Sequence, residues 1–574
     1  MSHEISLSLG AETVSTVERN IGYAALRGIV VPPGSKARSR SHRSYRKLGD
    51  PAFGPCAVLH EGPHREGKCR TPMMHERGKS DIAIVAVKPA NVAERSGTEL
   101  GEPRAVTKGN ADQQPTCRTQ SRDAAKTAQV DVSQELARIR RVARRNGKEK
   151  FTALLHHVST GLLEDAFSQV RADAAPGVDG LTWKEYEINL ERNLKDLHAR
   201  IHRGTYRALP ARRVFIPKPD GRQRPLAIAA LEDKIVQRAV VEVLNAIYED
   251  KAFGFCGFSY GFRPGRGAHD AMDALVVGIE SKQVNWILDA DIQSFFDEIS
   301  QKKLVQFLER RIGDRRIIRL IQKWLKVGVL EDGIVKTSDR GTGQGAVISP
   351  LLANIYLHYV LDLWADDWRQ REAKGDMIIV RYADDFIVGF EHESDARRFL
   401  DEMRAQLAEN TLTLHPGKTR LIEFGRFAEK NRKDRGLGKP ETFNFLGFTF
   451  ISGKSRTGKF LVKRRTRRDR LQAKLKMITR EIRRRMNQPI PTLGKWLGCV
   501  VRGYFNYHAV PTNIRALATF RDEITRRWLR ILRRRSQLNR LTWERMVAIA
   551  DTWLPRPRII LAWPRQRFNV RHPR

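Results

Sequence analysis

The sequence predicts an α+β fold, preceded by a largely disordered N-terminal extension and followed by a helical, basic C-terminal part. Residues 1–130 contain only three aromatic residues, and a segment so poor in large side chains buries too little surface to offset its ordering entropy. Beyond residue 210, short apolar runs alternate with segments of helical periodicity, as in domains that mix helices and sheets. From residue 463 onward the pattern is helical, with many arginines.

Helical spacing of apolar residues first occurs at Leu136, Ile139 and Val142. The predicted apolar runs and helices of the mixed part are, in chain order, Arg213–Ile216, Asp233–Tyr248, Val284–Ile292, Lys302–Leu325, Ser349–Trp368, Met377–Phe390 and Glu393–Glu409. Two of the apolar runs carry closely spaced carboxylates, and these carboxylates provide the first functional signal.

The charge of the chain indicates the kind of partner it binds. Lys and Arg outnumber Asp and Glu by 104 to 65, which gives a formal net charge of +39. Such a surplus indicates a polyanion, either nucleic acid or an anionic membrane surface. No run of about 18 apolar residues occurs, so we expect no membrane span. Residues 1–10 also lack the basic start and apolar stretch of a secretory signal.

The cysteines indicate the compartment and raise the question of a zinc site. Five scattered cysteines exclude a disulfide framework and fit a reducing, cytoplasmic compartment. Candidate zinc ligands cluster in the extension at Cys56, His60, His64, Cys69 and His75. Their spacing lacks the Cys-x2-Cys pair that typifies a zinc site. We therefore favour incidental residues over zinc binding and leave zinc as the alternative.

The stretch Met377–Phe390 predicts a β-hairpin with two carboxylates at its tip. Apolar, β-rich runs flank Asp384 and Asp385 on both sides. An ordinary polar turn is the alternative, because aspartate favours turns. A turn alone does not explain why two like charges lie side by side, whereas a divalent metal ion would relieve their repulsion.

A second stretch, Trp286–Asp297, supplies further carboxylates. On a strand, Asp289 and Asp291 point to the same face. A strand that ends in a carboxylate beside a carboxylate-tipped hairpin makes a site for two Mg²⁺ ions. Two such ions activate an attacking hydroxyl and stabilise a leaving pyrophosphate.

These motifs resemble those of a known family. Tyr382–Asp385 resembles the catalytic box of reverse transcriptases, and its alanine resembles the group II intron-encoded enzymes. Other stretches resemble the family's conserved blocks, in the same order: Gly177–Gly180, Ile216–Gly221, Arg224–Leu226, Tyr260–Gly265, Gly343–Asn354, His415–Thr419 and Phe445–Phe448. The resemblance covers roughly residues 134–565 and implies a bacterial reverse transcriptase and maturase.

The resemblance also implies a domain plan, namely a right-hand polymerase with fingers and palm and an α-helical thumb or maturase domain. The implied segments are an extension over 1–130, a helical extension of the fingers over 131–205, fingers and palm over 206–455, the thumb or maturase domain over 456–555 and a basic tail over 556–574. No cysteine pair follows Cys499, so we expect the chain to lack the zinc-bearing His-Asn-His endonuclease domain of some relatives.

Site residues follow from the same resemblance. The implied catalytic residues, which would hold two Mg²⁺ ions, are Asp291, Asp384 and Asp385. The implied nucleotide-binding residues are Lys218, Arg224, Phe296, Gln344, Gly345 and Lys418. The implied primer grip comprises Phe445, Leu446 and Gly447. Asp291 rather than Asp289 matches the family aspartate, and Phe296 matches a gate that favours deoxynucleotides. Gly343 and Ala227 depart from the family pattern, but neither replaces a metal ligand.

The basic C-terminal helices predict an RNA-binding surface. Residues 461–540 carry 23 Lys and Arg against four acidic residues. Arginines without balancing acids favour contact with an RNA backbone over the alternative of a merely solvated helix face. Two apolar stripes predict the packed faces: Leu471, Leu475, Ile478 and Ile482 on one helix, and Leu517, Phe520, Ile524, Trp528 and Ile531 on another. The candidate RNA-binding residues are Arg464, Arg465, Arg533, Arg534 and Arg535.

The predicted function is RNA-directed DNA polymerisation together with binding of a group II intron RNA, which assists splicing and intron mobility. The expected partners are the intron RNA, an RNA template with a DNA primer, target DNA and deoxynucleotides. No membrane partner is expected, and the sequence does not determine the oligomeric state. Two alternatives remain: a domesticated or defence-associated reverse transcriptase, and a non-catalytic RNA-binding maturase. The three aspartates disfavour the second, because pure binding does not require them.

Overall fold

The computed structural model describes residues 132–571, apart from 148, 218–222, 251–252 and 536–539. The predicted disordered extension, its candidate zinc ligands and Lys218 lie outside the described residues. Among the described residues, no helix combines the length and apolarity that a membrane crossing requires.

The first described elements are helices that pack into the largest core. They are α1 (132–145), α2 (Thr160–Gln169), α3 (Trp183–Ile188) and α4 (Leu190–His202). A capping box begins α3: the Thr182 hydroxyl accepts from the Glu185 amide, and the Glu185 carboxylate accepts from the Thr182 amide. The predicted apolar residues Leu136 and Ile139 are buried in α1, so the helical prediction for this segment is confirmed.

A small mixed sheet and the long helix α5 follow. The elements are β1 (Ala211–Pro217), β2 (Gln223–Ile228), α5 (Leu231–Tyr248), β4 (Val329–Glu331) and β5 (Ile334–Lys336). The strand order is β2-β1-β4-β5, with β1 antiparallel to β2 and parallel to β4. Helix α5 is buried along most of its length, so it forms the centre of the largest core.

The central sheet positions the carboxylates. Its order is β6-β7-β3-β8, and all of its neighbours are antiparallel. Its strands are β3 (Trp286–Asp291), β6 (Met377–Tyr382), β7 (Asp385–Phe390) and β8 (Arg420–Glu423). The helices around it are α6 (Ala268–Ser281), α7 (Phe295–Glu298), α8 (Gln301–Glu309), α9 (Arg315–Lys326), α10 (Ser349–Leu357), α11 (Leu363–Arg371) and α12 (Glu393–Glu409). A π-helical turn, His358–Asp362, joins α10 to α11.

The predicted segment Lys302–Leu325 is two helices rather than one. Asp314 separates them, because its carboxylate accepts from the Arg316 amide and caps α9. The same carboxylate accepts from the amides of Leu154 and Leu155. Despite its burial, the Arg316 guanidinium and then these amides hold the pKa of Asp314 at about 2. The break thus also ties the chain segment before α2 to the core.

A three-stranded sheet leads into the C-terminal helices. The elements are α13 (Ala428–Asp434), β9 (Thr442–Phe445), β10 (Phe448–Lys454), β11 (Phe460–Thr466), α14 (Arg468–Arg484), α15 (Ile490–His508), α16 (Ile514–Arg533) and α17 (Trp543–Trp553). All nine residues of the two predicted apolar stripes belong to or pack against one core shared by these helices. The prediction of two amphipathic helices with arginine-rich outer faces is confirmed.

The C-terminal segment returns to the central part of the protein. Helix α18 (Pro564–Arg571) packs against α6. The Arg567 Nε donates to Asp273 Oδ2 at 2.6 Å. Residues 560 and 561 both donate backbone hydrogen bonds to the Ala509 carbonyl. The described part of the basic tail, residues 556–571, is therefore attached to α6 and to the end of α15.

Candidate active site

The predicted carboxylate-tipped hairpin is present. Strands β6 and β7 pair from Met377–Phe390 to Tyr382–Asp385, and Ala383 with Asp384 forms the two-residue turn between them. Ala383 has φ of +57°, the left-handed conformation that such tight hairpin turns require. We call residues 382–385 the catalytic turn.

The neighbouring strand β3 brings a third carboxylate to this turn. Asp291 is the last residue of β3 and lies directly opposite Asp385 in the antiparallel register. Residues opposite each other on paired strands lie about 5 Å apart at Cα. The two stretches that the sequence analysis joined by chemistry are therefore adjacent in the sheet, and Asp291, Asp384 and Asp385 form one cluster.

Burial and mutual repulsion raise the pKa values of two carboxyl groups in the cluster. Burial and the charges of Asp384, Asp291 and Asp289 raise the pKa of Asp385 to about 7, although the residue borders solvent. Burial, followed by the charge of Asp291, also raises the pKa of Asp384. Perturbed carboxyl groups of this kind are typical of functional sites.

Two cations partly offset this repulsion. Lys418 Nζ lies 2.6 Å from Asp291 Oδ2, and its charge lowers the pKa of Asp385. Arg420 pairs with Asp289 at 3.3 Å. Among the described residues, no three His, Cys, Asp or Glu side chains form a ready set of metal ligands, and Lys418 engages the Asp291 carboxylate. The donors that meet here are hard carboxylate oxygens, the ligand type that suits Mg²⁺.

We expect Asp385→Asn to stabilise the metal-free protein at pH 8. Because the pKa of Asp385 exceeds the value of about 3.9 for a free aspartate, the folded chain binds the proton more tightly than the unfolded chain, and ionisation lowers the free energy of unfolding. This penalty is absent below about pH 4 and complete above about pH 7. Thermal melts in EDTA should show the variant above the wild type at pH 8 and level with it near pH 4. Identical melts at both pH values would contradict this account of the cluster.

The loop after β5 lies between β2 and the gate candidate. The Gln344 carbonyl accepts from the Ala227 amide at 2.6 Å. Gly345 has φ of +111°, and a Cβ there would come within 2.7 Å of the Ala227 carbonyl oxygen. The Phe296 carbonyl accepts from the Thr342 amide at 2.9 Å. Glycine at 345 is therefore required by close backbone packing.

The remaining nucleotide-site candidates are placed as follows. Phe296 is half-buried, packs against the largest core and lies 5.4 Å from the Phe295 ring. Arg224 is exposed on β2, and its charge lowers the pKa of Asp384. The Lys418 contact brings that residue to the cluster directly, whereas Lys218 lies outside the described residues.

The predicted primer grip is a second tight hairpin turn. Leu446 and Gly447 join β9 to β10 with φ of +46° and +82°. The Tyr507 hydroxyl on α15 donates to the Leu446 carbonyl at 2.9 Å. The Arg467 amide donates to the Gly447 carbonyl. The C-terminal helices thus hold this turn in place, and the sequence analysis did not identify Tyr507 in this role.

The arginine predictions need correction at one position. Arg464 is 2% exposed and pairs with Asp273 at 2.9 Å, so its guanidinium is not available to RNA. Arg533 donates to the Leu541 carbonyl and Arg535 to the Gln488 carbonyl; each has a local structural contact, and its RNA-binding role stays a prediction. Arg465 and Arg534 are exposed and keep the predicted role.

Comparison with known proteins identifies the family. Residues 216–450 match the reverse transcriptase (RNA-dependent DNA polymerase) family. Protein YkfC of Escherichia coli is 32% identical over 322 residues, which span 50% of this chain and 78% of that protein. The group II intron-encoded protein LtrA of Lactococcus lactis is 33% identical over 225 residues, or 39% of this chain and 37% of that protein. The chain belongs to the group II intron-encoded reverse transcriptases.

This membership makes the chain an RNA-directed DNA polymerase, as the catalytic turn predicts. An uncharacterised 91 kDa protein in the cob intron of Schizosaccharomyces pombe is 43% identical over 149 residues, which span 26% of this chain and 18% of that protein. The matched stretches thus cover well under half of LtrA and of the yeast protein. The matched family region contains the catalytic turn, Asp291 and the primer-grip turn.

Proposed function

We propose that Asp291, Asp384 and Asp385 hold two Mg²⁺ ions and carry out nucleotidyl transfer from deoxynucleotides to a primer on an RNA template. The observation that carries the proposal is the register of Asp291 opposite Asp385, beside Asp384 in the turn. When bound, the ions supply activation of the primer 3′-hydroxyl and stabilisation of the leaving pyrophosphate. Primer extension on RNA, with and without Mg²⁺, tests this proposal.

The surrounding side chains support a nucleotide site next to the carboxylates. Arg224 and Lys218 would bind the triphosphate, since arginine forms two parallel hydrogen bonds with phosphate oxygens. Lys418, which neutralises Asp291 here, would exchange that contact for the charge of the incoming nucleotide. Phe296 would press on the sugar, and Gln344 with Gly345 would border the new base pair.

From the family membership and the position of the carboxylates, we assign the sheets and helices to the parts of a right-hand polymerase. Residues 206–455 would form the fingers and palm, 131–205 a helical addition to the fingers, and 456–555 the thumb or maturase domain. The hydrogen bond from Tyr507 to the primer-grip turn supports a thumb that holds the primer strand. Phe445, Leu446 and Gly447 would contact that strand.

The intron association is proposed from charge and from the named relatives. The exposed Arg465 lies on β11 shortly before α14, and the exposed Arg534 directly follows α16. Basic surfaces of this kind bind RNA through its phosphates. The chain would bind its intron RNA in a bacterial cytoplasmic ribonucleoprotein, assist splicing and act on target DNA.

The intron proposal is tested with the precursor RNA that contains the coding sequence and its flanks. The full chain should bind this RNA more tightly than an unrelated structured RNA and should speed splicing at low Mg²⁺. Equal affinity for both RNAs, with polymerisation intact, would instead favour the domesticated or defence-associated alternative. Binding without polymerisation would favour the non-catalytic maturase.

A further inference from the structure

A buried ion pair lies directly beneath the catalytic turn, and none of the roles assigned above includes it. Arg381, on β6, and Asp362, in the π-helical turn, have side chains that are each 1% exposed. The Arg381 Nε donates to Asp362 Oδ1 at 2.6 Å, and a terminal nitrogen donates to Asp362 Oδ2 at 2.5 Å. This is the bidentate geometry that gives arginine and carboxylate pairs their directional strength.

The remaining donors of Arg381 connect the ion pair to the turn. One terminal nitrogen donates to the Ala383 carbonyl and to Asn354 Oδ1, both at 3.0 Å. The other donates to the Ser259 hydroxyl at 2.8 Å. All five N–H donors of the guanidinium are therefore used, and one of them holds the backbone between Tyr382 and Asp384.

The turn needs such support because of its conformation. Ala383 has φ of +57°, and a non-glycine residue in this region is strained by about 1 kcal/mol or more. Ala383 is buried, and its methyl side chain can form no hydrogen bond that would stabilise the turn. The hydrogen bond to its carbonyl opposes relaxation toward an extended backbone, which would move Asp384 and Asp385 out of place.

A loop from the preceding motif, residues 258–261, also packs against the turn. A Cβ at Gly261 would come within 2.4 Å of the Ala383 nitrogen. Asn354 Nδ2 donates to the Gly261 carbonyl at 2.7 Å, and Phe258 accepts from the Arg381 amide. The turn is thus held both by the loop and by the ion pair, and Ser259 links the two.

The helix supplies Asp362 through an irregularity. The π turn His358–Asp362 interrupts an otherwise continuous helix from Ser349 to Arg371. Such turns insert one extra residue and occur frequently at functional sites. Here the irregular turn ends at the carboxylate that receives Arg381.

We infer that Arg381 and Asp362 form a positioning pair for metal binding: they fix the carbonyl of Ala383 and thereby orient Asp384 and Asp385. The inference rests on the proposed role of these two aspartates as metal ligands. A misplacement of catalytic groups by about 1 Å lowers the rate about a hundredfold, so the pair acts on the rate although it touches no substrate.

Arg381→Lys keeps the charge and removes the bidentate contact and the contact to Ala383. We expect kcat to fall at least about tenfold and the KM for template and primer to stay unchanged. The Mg²⁺ concentrations for half-maximal activity and for half-maximal thermal stabilisation of the protein should both rise at least about threefold. Gly261→Ala, whose Cβ would press on the Ala383 nitrogen, should shift the Mg²⁺ dependence in the same direction. Ser259→Ala removes one hydroxyl and should give a smaller shift, and it serves if the larger changes prevent folding.

The matched control is Arg464→Lys, which alters another buried arginine whose partner is Asp273. It should lower the melting temperature and leave the Mg²⁺ dependence unchanged. The inference is wrong if folded Arg381→Lys or Ser259→Ala keeps the wild-type Mg²⁺ dependence, or if the control shifts it equally. If Asp384→Asn itself retained activity, the metal assignment would fail first, so the two failures are distinguishable.

Discussion

Asp384→Asn is expected to reduce primer extension on an RNA template at least about a thousandfold, which corresponds to about 4 kcal/mol of transition-state stabilisation. Asparagine keeps the size of the side chain and the turn but removes the negative oxygen that would bind Mg²⁺. RNA affinity should remain at the wild-type level, because Asp384 lies in the carboxylate cluster and contributes no positive charge. Steady-state extension and filter binding on the same RNA measure the two effects.

Asp289→Asn is the control for this prediction. Asp289 lies two residues before Asp291 on β3, faces the same side and pairs with Arg420 at 3.3 Å. Loss of such a partly exposed pair costs at most about 1 kcal/mol, so extension should fall less than tenfold. Near wild-type extension by Asp384→Asn, or an equal loss in both variants, would overturn the assignment of the metal ligands.

Joint replacement of Arg465 and Arg534 by alanine is expected to weaken binding to structured RNA and to flatten its salt dependence. Each phosphate contact contributes about 0.7 to 0.9 to the slope of log affinity against log salt. Loss of two contacts should therefore flatten the slope by about 1.4 to 1.8. Short-primer extension should change less, because neither residue contacts the carboxylate cluster. Titrations at several salt concentrations measure the slope.

Two other variants separate this binding effect from a loss of structure. Arg397→Ala removes an exposed arginine that pairs with Glu393 on α12, and it should leave the slope unchanged. Arg533→Ala and Arg535→Ala should lower the melting temperature, because each removes a hydrogen bond to a backbone carbonyl. A wild-type slope in the Arg465 and Arg534 double variant would remove these two residues from the RNA-binding surface.

The hairpin and the helices of the C-terminal core were predictable because their signals are local. Apolar runs on both sides of Asp384 and Asp385 define two strands, and apolar residues at helical spacing define the buried faces of α14 and α16. The break within Lys302–Leu325 was missed although Asp314 is a local helix N-cap; only its contacts to amides about 160 residues earlier in the chain required the fold.

Part of the site was misjudged for a similar reason. Arg464 belonged to a basic run, but Val462, Arg464 and Thr466 alternate inward along β11, a period-2 signal that the charge count concealed. Asp273 on α6 compensates the buried charge of Arg464 through a hydrogen-bonded ion pair. Arg381 was not identified from the sequence, since four of its five acceptors lie 19 to 122 residues away and only the fold brings them together.

The most direct test of the account is primer extension by the full wild-type chain on an RNA template with a DNA primer and deoxynucleotides, as Mg²⁺ is titrated from zero. We predict full-length DNA product that requires Mg²⁺ and is lost when Asp291 is replaced by asparagine. An absence of product at every Mg²⁺ concentration, from folded protein that still binds the RNA, would contradict the account and would favour an RNA-binding maturase without polymerase activity.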